Sequence, residues 1–127
     1  MKRIASCSCN QLSITTEGNP IKISVCHCKA CQRRTGSAFG VAVFFDTEKS
    51  VISGHGCSYS RLGDSGKSLT FHFCPACGST VYWMPDFKPG VTAIALGCFD
   101  KAETLWPSQC VNEDQQYAWV ELHLPSA

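Results

Sequence analysis

Cysteines dominate the chemistry that this sequence can perform. The chain has ten cysteines in 127 residues, and seven of them fall into three tight groups. We call these groups the first pair, the trio and the second pair, and their members are, in that order, Cys7 and Cys9, then Cys26, Cys28 and Cys31, then Cys74 and Cys77. Because thiolates at such short spacing are typical zinc ligands, the sequence predicts a metal-binding protein.

The spacing within the pairs allows both sulfurs to reach one ion. In extended backbone, side chains two positions apart point to the same face, so Cys7 and Cys9 present two sulfurs to one side. The second pair belongs to the sequence Cys-Pro-Ala-Cys-Gly at residues 74–78. There the two cysteines wrap a turn around an ion, and the glycine permits a positive φ. This turn favours a metal site over two buried thiols.

The number of clustered cysteines predicts two sites of different kinds. Structural zinc takes four protein ligands, whereas catalytic zinc takes three and leaves one position for water or substrate. We therefore predict that the two pairs form a closed site and that the trio forms an open one, with two zinc ions per chain. Spacing alone leaves another partition open, because one pair and two cysteines of the trio would also supply four ligands.

The open site would carry negative charge. Three thiolates around a divalent cation make it a weak Lewis acid that is poorly suited to activating water. A soft fourth ligand, such as a substrate thiol, suits it better. The predicted chemistry is attack of a thiolate on a carbon electrophile, or the reverse cleavage of a carbon–sulfur bond. Lys29, Arg33 and Arg34 beside the trio either attract a carboxylate-bearing thiol or form a solvated basic turn.

Composition excludes several classes of partner. Eleven Lys and Arg against ten Asp and Glu give a formal charge of +1. Such a small charge does not indicate a protein that binds nucleic acid or an anionic membrane. At this length we expect one domain over residues 1–127 with a core that needs no disulfides. The start lacks the apolar stretch of a signal peptide, and no run is long enough to span a membrane. We expect a cytoplasmic protein with reduced thiols rather than a secreted disulfide scaffold.

The hydrophobic pattern predicts an all-β fold. Alternating or continuous apolar residues indicate five strands, over residues 20–26, 38–45, 68–73, 91–97 and 117–124. Glycine and proline clusters separate these segments. The only helical turn that the sequence predicts lies over residues 29–36, directly after the first cysteines of the trio.

On these residues the chain resembles the glutathione-dependent formaldehyde-activating enzyme family, which also contains centromere protein V. The stretches that carry the resemblance are the first pair, residues 25–40 with the trio, residues 73–79 with the second pair, and residues 96–100. Their order and spacing cover about residues 5–122. A match over several cysteine motifs is far more specific than a single Cys-x-x-Cys.

The resemblance implies a fold, a reaction and a division of the cysteines. The fold would be a small zinc-stapled β-sheet domain, similar to a zinc-bearing chaperone of Rab GTPases. The closed site would be Cys7, Cys9, Cys74 and Cys77, and the catalytic zinc would be held by Cys26, Cys28 and Cys31. The activity would be that of a carbon–sulfur lyase that joins glutathione and formaldehyde into S-hydroxymethylglutathione. We expect the loop of Thr35, Gly36 and Ser37 to contact the substrate backbone.

One position departs from the family pattern. Many members have Pro-x-x-His near the C-terminal end, and here Cys110 follows Pro107 at the position of that histidine. If the histidine holds substrate, this protein uses another thiol or aldehyde. The absence of an obvious catalytic base favours a second hypothesis, a non-catalytic zinc-stapled binding module or thiol carrier.

The remaining residues of interest are assigned structural roles. Core positions are predicted for three tryptophans and two lone cysteines, which are Trp83, Trp106, Trp119, Cys57 and Cys98. His27 lies between two predicted ligands in the chain, so we expect it to point away from the metal and to pack or support rather than ligate.

Overall fold

A computed structural model of the chain describes residues 1–124 and is mostly β-sheet. The strands are β1 (Lys2–Ser6), β2 (Ser13–Glu17), β3 (Lys22–Cys26), β4 (Gly40–Asp46), β5 (Ser50–Ser53), β6 (Cys57–Leu62), β7 (Ser68–Phe73), β8 (Thr80–Pro85), β9 (Val91–Ala95) and β10 (Gln109–Val111). The one α-helix of the described residues is α1 (Lys29–Thr35). Short 3-10 turns lie at Thr47–Lys49, Leu96–Cys98, Ala102–Thr104 and Glu113–Gln115. The prediction of an all-β fold is confirmed.

The strands form two sheets. The smaller sheet has the order β1-β2-β5, and the larger has the order β10-β3-β4-β9-β8-β7-β6. All neighbouring strands pair antiparallel except β10, which runs parallel to β3 and places Val111 beside Cys26. No helix among the described residues is long and apolar enough to cross a membrane.

The main core lies between the two sheets. It includes Ala5 and Ile14 of the smaller sheet and Val43, Phe45 and Ile94 of the larger one, all buried. Successive side chains of a strand point to opposite faces, so the larger sheet presents a different set of residues on its other face. The smaller sheet therefore covers only one of the two faces.

A second apolar cluster occupies the other face of the larger sheet. Leu69, Phe71, Trp83 and Ala93 are buried there, and the half-buried Phe44 packs against them. The rings of Phe71 and Trp83 contact each other, with centroids 5.4 Å apart. This face forms the floor of the cavity described below.

The helix α1 begins directly after the trio's second cysteine. The sulfur of Cys28 accepts a hydrogen bond from the backbone N–H of Cys31, so a predicted metal ligand also caps the helix. Gly36 ends the helix in the left-handed region, with φ of 66°, and donates its N–H to the carbonyl of Gln32. The helical turn predicted over residues 29–36 is confirmed.

Four of the five predicted strands are present, three of them with shifted ends and one, over residues 68–73, with the predicted bounds. Residues 20–26, 38–45, 68–73 and 91–97 correspond to β3, β4, β7 and β9. The strand predicted over residues 117–124 is wrong. That segment contains a turn in which Val120 donates its N–H to the carbonyl of Tyr117, and β10 already occupies the sheet edge beside β3. Local alternation could not reveal that the edge was taken.

The tryptophan prediction holds for one residue of three. Trp83 is buried in the second apolar cluster, whereas Trp106 and Trp119 are 63 % and 77 % exposed. Trp119 stacks on Tyr117 at the surface instead. Both exposed tryptophans follow β9 in the chain and lie outside the strands.

Gly54 allows the β5–β6 connection to cross the chain close to the first pair. It has φ of +91°, and a Cβ there would lie 1.7 Å from the carbonyl oxygen of Gln11. Gly66 also has a positive φ, of +81°, but no atom lies within 4 Å of the position that a Cβ would take there. The two glycines therefore differ in steric surroundings and share the same backbone requirement.

We predict that Gly54→Ala destabilises the fold more than Gly66→Ala. Both variants incur the cost of a left-handed alanine, about 1–2 kcal/mol, and only Gly54→Ala adds a backbone overlap of about 1–3 kcal/mol. Denaturant unfolding of the two zinc-loaded variants measures the difference. Equal free energies of unfolding would contradict the close approach of Gly54 and Gln11.

Candidate metal centres

The two pairs come together as one four-cysteine cluster. The sulfurs of Cys7, Cys9, Cys74 and Cys77 all lie within 4.8 Å of one another. Two of these separations, from Cys9 to Cys7 and from Cys9 to Cys74, are 3.6 Å. Tetrahedral zinc with Zn–S bonds of about 2.3 Å places its sulfurs about 3.8 Å apart. The donor set and its spacing therefore fit a closed zinc site.

Backbone turns position these four sulfurs. Cys7 donates its N–H to the carbonyl of Leu12, and Leu12 donates its N–H to the sulfur of Cys7 at 3.3 Å. In the second turn, Gly78 has φ of 81° and donates its N–H to the carbonyl of Cys74 at 2.7 Å. The glycine after the second pair thus has the role that the sequence predicts for it.

Polar groups around the four-cysteine cluster favour thiolates. The side-chain amide of Gln11 donates to the sulfur of Cys74 at 3.0 Å. The hydroxyl of Ser79 lies 3.5 Å from the sulfur of Cys77, and hydrogen bonding by that hydroxyl and by the Ser79 backbone lowers the pKa of Cys77 to about 5. Ser79 also bonds to Ser8, hydroxyl to hydroxyl at 3.0 Å, and so ties the two turns together.

The trio forms a second, incomplete cluster. The sulfurs of Cys26, Cys28 and Cys31 lie within 4.8 Å of one another. No fourth cysteine, histidine or carboxylate joins this group within residues 1–124. Cys26 ends β3, Cys28 caps α1 and Cys31 lies in the first turn of that helix. Three sulfurs with no fourth protein ligand match the donor set of an open zinc site.

Crowding of three sulfurs determines the protonation of the trio. A hydrogen bond from the Cys31 thiol, helped by one from the Asn112 amide at 3.2 Å, lowers the pKa of Cys26 to about 5. The same contact with Cys26, together with burial, raises the pKa of Cys31. Without a cation the sulfurs share protons, because three adjacent thiolates repel one another. A divalent cation relieves that repulsion and would be held by all three as thiolates.

The segment after β10 supports the loop that carries the trio. Gln115 accepts the backbone N–H of Lys29 at 2.9 Å through its side-chain oxygen. Gln32 donates its side-chain N–H to the carbonyl of His27 at 2.9 Å, and the hydroxyl of Tyr117 donates to Gln32 at 2.7 Å. Sequence analysis did not identify Asn112, Gln115 or Tyr117, since no local pattern links them to the trio.

His27 is fully buried and is not part of either cluster. Its ring packs against Phe39, with centroids 5.6 Å apart. Neither ring nitrogen has a hydrogen-bond partner among the described residues. The expectation that this histidine packs rather than ligates agrees with its position.

A cavity of about 450 Å³ opens beside the trio. All three sulfur-bearing residues line it, together with Asn112, polar and basic groups of α1, and the second apolar cluster. The principal lining residues, besides the trio, are Lys29, Arg34, Phe44, Arg61, Asp64, Leu69, Phe71, Trp83, Phe87, Asn112 and Gln115. An open metal position would therefore face an apolar space large enough for a small organic molecule.

The basic residues beside the trio are placed differently. Lys29 and Arg34 line the cavity, whereas Arg33 is exposed and lies outside it. The guanidinium of Arg34 lies 4.3 Å from the centre of the Trp83 ring. Burial lowers the pKa of Arg34, and the neighbouring sulfur of Cys31 opposes that shift. Among the three basic residues beside the trio, Arg34 therefore has the half-buried position, against an aromatic ring, that suits a ligand-binding group.

The predicted substrate loop follows α1 and lies outside this cavity. The hydroxyl of Thr35 donates to the carbonyl of Cys31 at 2.9 Å and accepts the N–H of Ser37 at 3.1 Å. Gly36 and Ser37 line a separate surface pocket that also contacts Tyr117 and Trp119. A role of these residues in substrate binding stays a prediction.

The three cysteines outside the clusters are half-buried. Cys98 lies 3.6 Å from the carbonyl of Thr80, where its thiol donates. Cys110 pairs with Val25 in the β10–β3 ladder and does not line the cavity beside the trio. Its neighbour on the other face of β10, Val111, does. Cys110, which occupies the position of the family histidine, therefore lies on the face of β10 that is turned away from the cavity.

These features define a small all-β protein with two cysteine clusters that could each hold a metal ion. The chain belongs to the glutathione-dependent formaldehyde-activating enzyme family, whose model matches residues 2–117. The assignment supports an enzyme, and it confirms the family resemblance seen in the cysteine motifs. No curated protein matches the sequence.

A solved structure has a similar fold. It is the crystal structure of a Rhodobacter sphaeroides protein determined by a structural genomics programme, and it aligns with a TM-score of 0.65. The alignment covers 87 % of this chain and 100 % of the other, with 18 % sequence identity. At that identity the similarity concerns the fold alone.

We predict that the two clusters respond differently to loss of one ligand. Cys77→Ser should abolish cooperative folding, because zinc binding at a closed site is folding free energy, on the order of 10 kcal/mol in small zinc peptides. Cys28→Ser should stay folded and lose one of two zinc ions. Metal analysis and thermal unfolding measure both effects, and Cys57→Ser, outside both clusters, should retain two zinc ions. Identical behaviour of the Cys77 and Cys28 variants would contradict the division.

We further predict that Asn112 strengthens metal binding by the trio. Asn112→Gly removes the amide that donates to Cys26 and tolerates the native φ of 56°. Loss of such a supporting hydrogen bond should weaken zinc affinity by about 10–100-fold. Competition with a chromophoric chelator measures the affinity. If the weaker of the two sites is unchanged in this variant, the hydrogen bond does not support the metal.

Proposed function

We propose that this protein is a zinc-dependent carbon–sulfur lyase that joins glutathione and formaldehyde into S-hydroxymethylglutathione. The observation that carries the proposal is the three-cysteine cluster, which lacks a fourth protein ligand among residues 1–124 and opens into a cavity. In the reaction the thiol sulfur adds to the carbonyl carbon, and the S–H proton ends on the former carbonyl oxygen. The reverse reaction cleaves the same bond, so no oxidant or reductant is needed.

The residues that would hold the catalytic zinc are Cys26, Cys28 and Cys31. When bound, zinc would supply a soft Lewis acid that favours the thiolate form of a substrate thiol. The donors around the trio keep its sulfurs in place: Asn112 donates to Cys26, and the backbone of Cys31 donates to Cys28. The four-cysteine cluster would hold the second, structural zinc.

The cavity would supply orientation and an apolar floor for the substrate. Its apolar floor of Phe44, Phe71 and Trp83 limits the water that can compete with a thiol for the aldehyde carbon. Arg34 and Lys29 supply positive charge for the carboxylates of glutathione. The loop of Thr35, Gly36 and Ser37 would contact the part of the tripeptide that extends beyond the cavity.

A thiol carrier or binding module is the second candidate function. One observation favours it: among the described residues, Asp64 is the only carboxylate that lines the cavity, and no histidine lines it. A carrier would bind glutathione at the trio without accelerating the addition. In either case the ten cysteines, all free, are suited to a reducing compartment such as the cytoplasm.

The proposal predicts that Cys28→Ser loses catalysis and keeps its fold. Exchange spectroscopy by NMR, with glutathione and formaldehyde at equilibrium, measures the rate of interconversion with the adduct. We expect the zinc-loaded protein to raise this rate, the Cys28 variant to return it to the uncatalysed value, and the control Cys57→Ser to match the unaltered protein. Glutathione binding without rate acceleration would identify a carrier and overturn the lyase proposal.

A further inference from the structure

Two arginines from distant parts of the chain meet over the aromatic floor of the cavity. The guanidinium of Arg34, on α1, lies 4.3 Å from the Trp83 ring centre. The guanidinium of Arg61, on β6, lies 5.2 Å from the Phe71 ring centre. Since those two rings are themselves in contact, the floor holds both cations side by side. Sequence analysis did not identify Arg61.

Of the side chains described, three basic ones and one carboxylate line the cavity that holds the two guanidiniums. Arg61 is close enough to Arg34 for the two positive charges to repel each other. Arg61 donates to the backbone carbonyl of Leu62 at 3.2 Å. Two half-buried like charges near each other are unfavourable unless an anion joins them. Asp64 also lines the cavity, on an exposed turn.

The backbone is shaped to admit Arg34. Gly40, the first residue of β4, lies under its guanidinium, and a Cβ at that position would lie 2.6 Å from the terminal nitrogen Nη2. The φ of Gly40 is not in the left-handed region, so its backbone geometry does not require glycine. The missing side chain instead leaves room for the guanidinium against the sheet.

We propose that Arg34 and Arg61 form a carboxylate-binding subsite, so that the thiol accepted beside the trio must carry an acid group. A guanidinium presents paired donors that match the two oxygens of a carboxylate. Cation–π contacts with Trp83 and Phe71 hold both guanidiniums at the wall of the cavity. The proposal rests on the proposed function only in assuming that the sulfur of the substrate thiol binds at the trio. The carboxylate contact itself does not depend on the trio.

The first test compares an acidic thiol with its neutral isostere. Calorimetry on the zinc-loaded chain should show that 3-mercaptopropionate binds at least about tenfold more tightly than 3-mercaptopropionamide. Arg34→Gln and Arg61→Gln should each remove most of that preference. Arg33→Gln is the matched control, because it removes the neighbouring positive charge outside the cavity and should keep the preference. Equal binding of acid and amide to the unaltered protein would overturn the subsite, and so would equal losses in all three variants.

Two further variants separate placement from charge. Gly40→Ala keeps Arg34 and displaces its guanidinium, so the preference for the acid should fall although the net charge is unchanged. Arg61→Lys keeps the charge and loses the paired donors, and it should keep more of the preference than Arg61→Gln does. A full preference in Gly40→Ala would show that general positive charge, and not this geometry, selects the acid.

The last experiment distinguishes failure of the subsite from failure of the lyase proposal. The probes are 3-phenylpropanoate and its amide, which carry an aromatic group for the floor and no thiol. NMR titration should show that only the acid binds, and that Arg34→Gln abolishes its binding. That result in a protein without lyase activity would leave the subsite intact and reject the reaction. Lyase activity with no acid preference for either pair of probes would reject the subsite alone.

Discussion

Mutual repulsion of neighbouring thiolates is the constraint on which this structure depends. In the four-cysteine cluster, four sulfurs lie within 4.8 Å of one another, and the first pair follows a strand of the smaller sheet while the second pair follows β7 of the larger. Only a cation makes that density of negative charge favourable. The same ion would therefore join two sheets that are also linked by apolar contacts and by hydrogen bonds, among them the bond between Ser8 and Ser79.

The two faces of the larger sheet have different roles: one packs in the main core, and the other forms the floor of the cavity. In β4, Val43 and Phe45 enter the main core, whereas Phe44 joins the aromatic floor of the cavity. The smaller sheet covers the first face, and on the second face α1 and the segment after β10 cover the end near the trio. A strand that has to satisfy both faces tolerates few substitutions, because an apolar residue on one side contributes to folding and its neighbour to the shape of the cavity.

Local patterns in the sequence were sufficient to predict the cysteine clusters, but they did not predict the residues that surround the clusters. The trio and the two pairs were recognisable because ligands of one ion lie a few residues apart, and the number of ligands that zinc takes suggested how to divide them. β4 and β9, neighbours in the larger sheet, were predicted because burial on both faces leaves apolar runs, whereas β8, which lies beside β9, was missed. Arg61 and Asn112 were missed because they reach the cavity through strand pairing over long distances in the chain. Residues 117–124 alternate as a strand does, but alternation does not supply a partner strand, and the segment contains a turn over residues 117–120 instead.

The parallel pairing of β10 with β3 has a consequence for the order in which the two centres can mature. Every ligand of the four-cysteine cluster has been synthesised by Cys77, whereas the groups that brace the trio, Asn112 and Gln115, come much later in the chain. Since domains begin to organise while the chain is still being made, a metal ion could bind at the four-cysteine cluster before the groups that brace the trio have been synthesised. A chain interrupted before β10 would then contain all seven clustered cysteines and lack the two side chains that brace the trio.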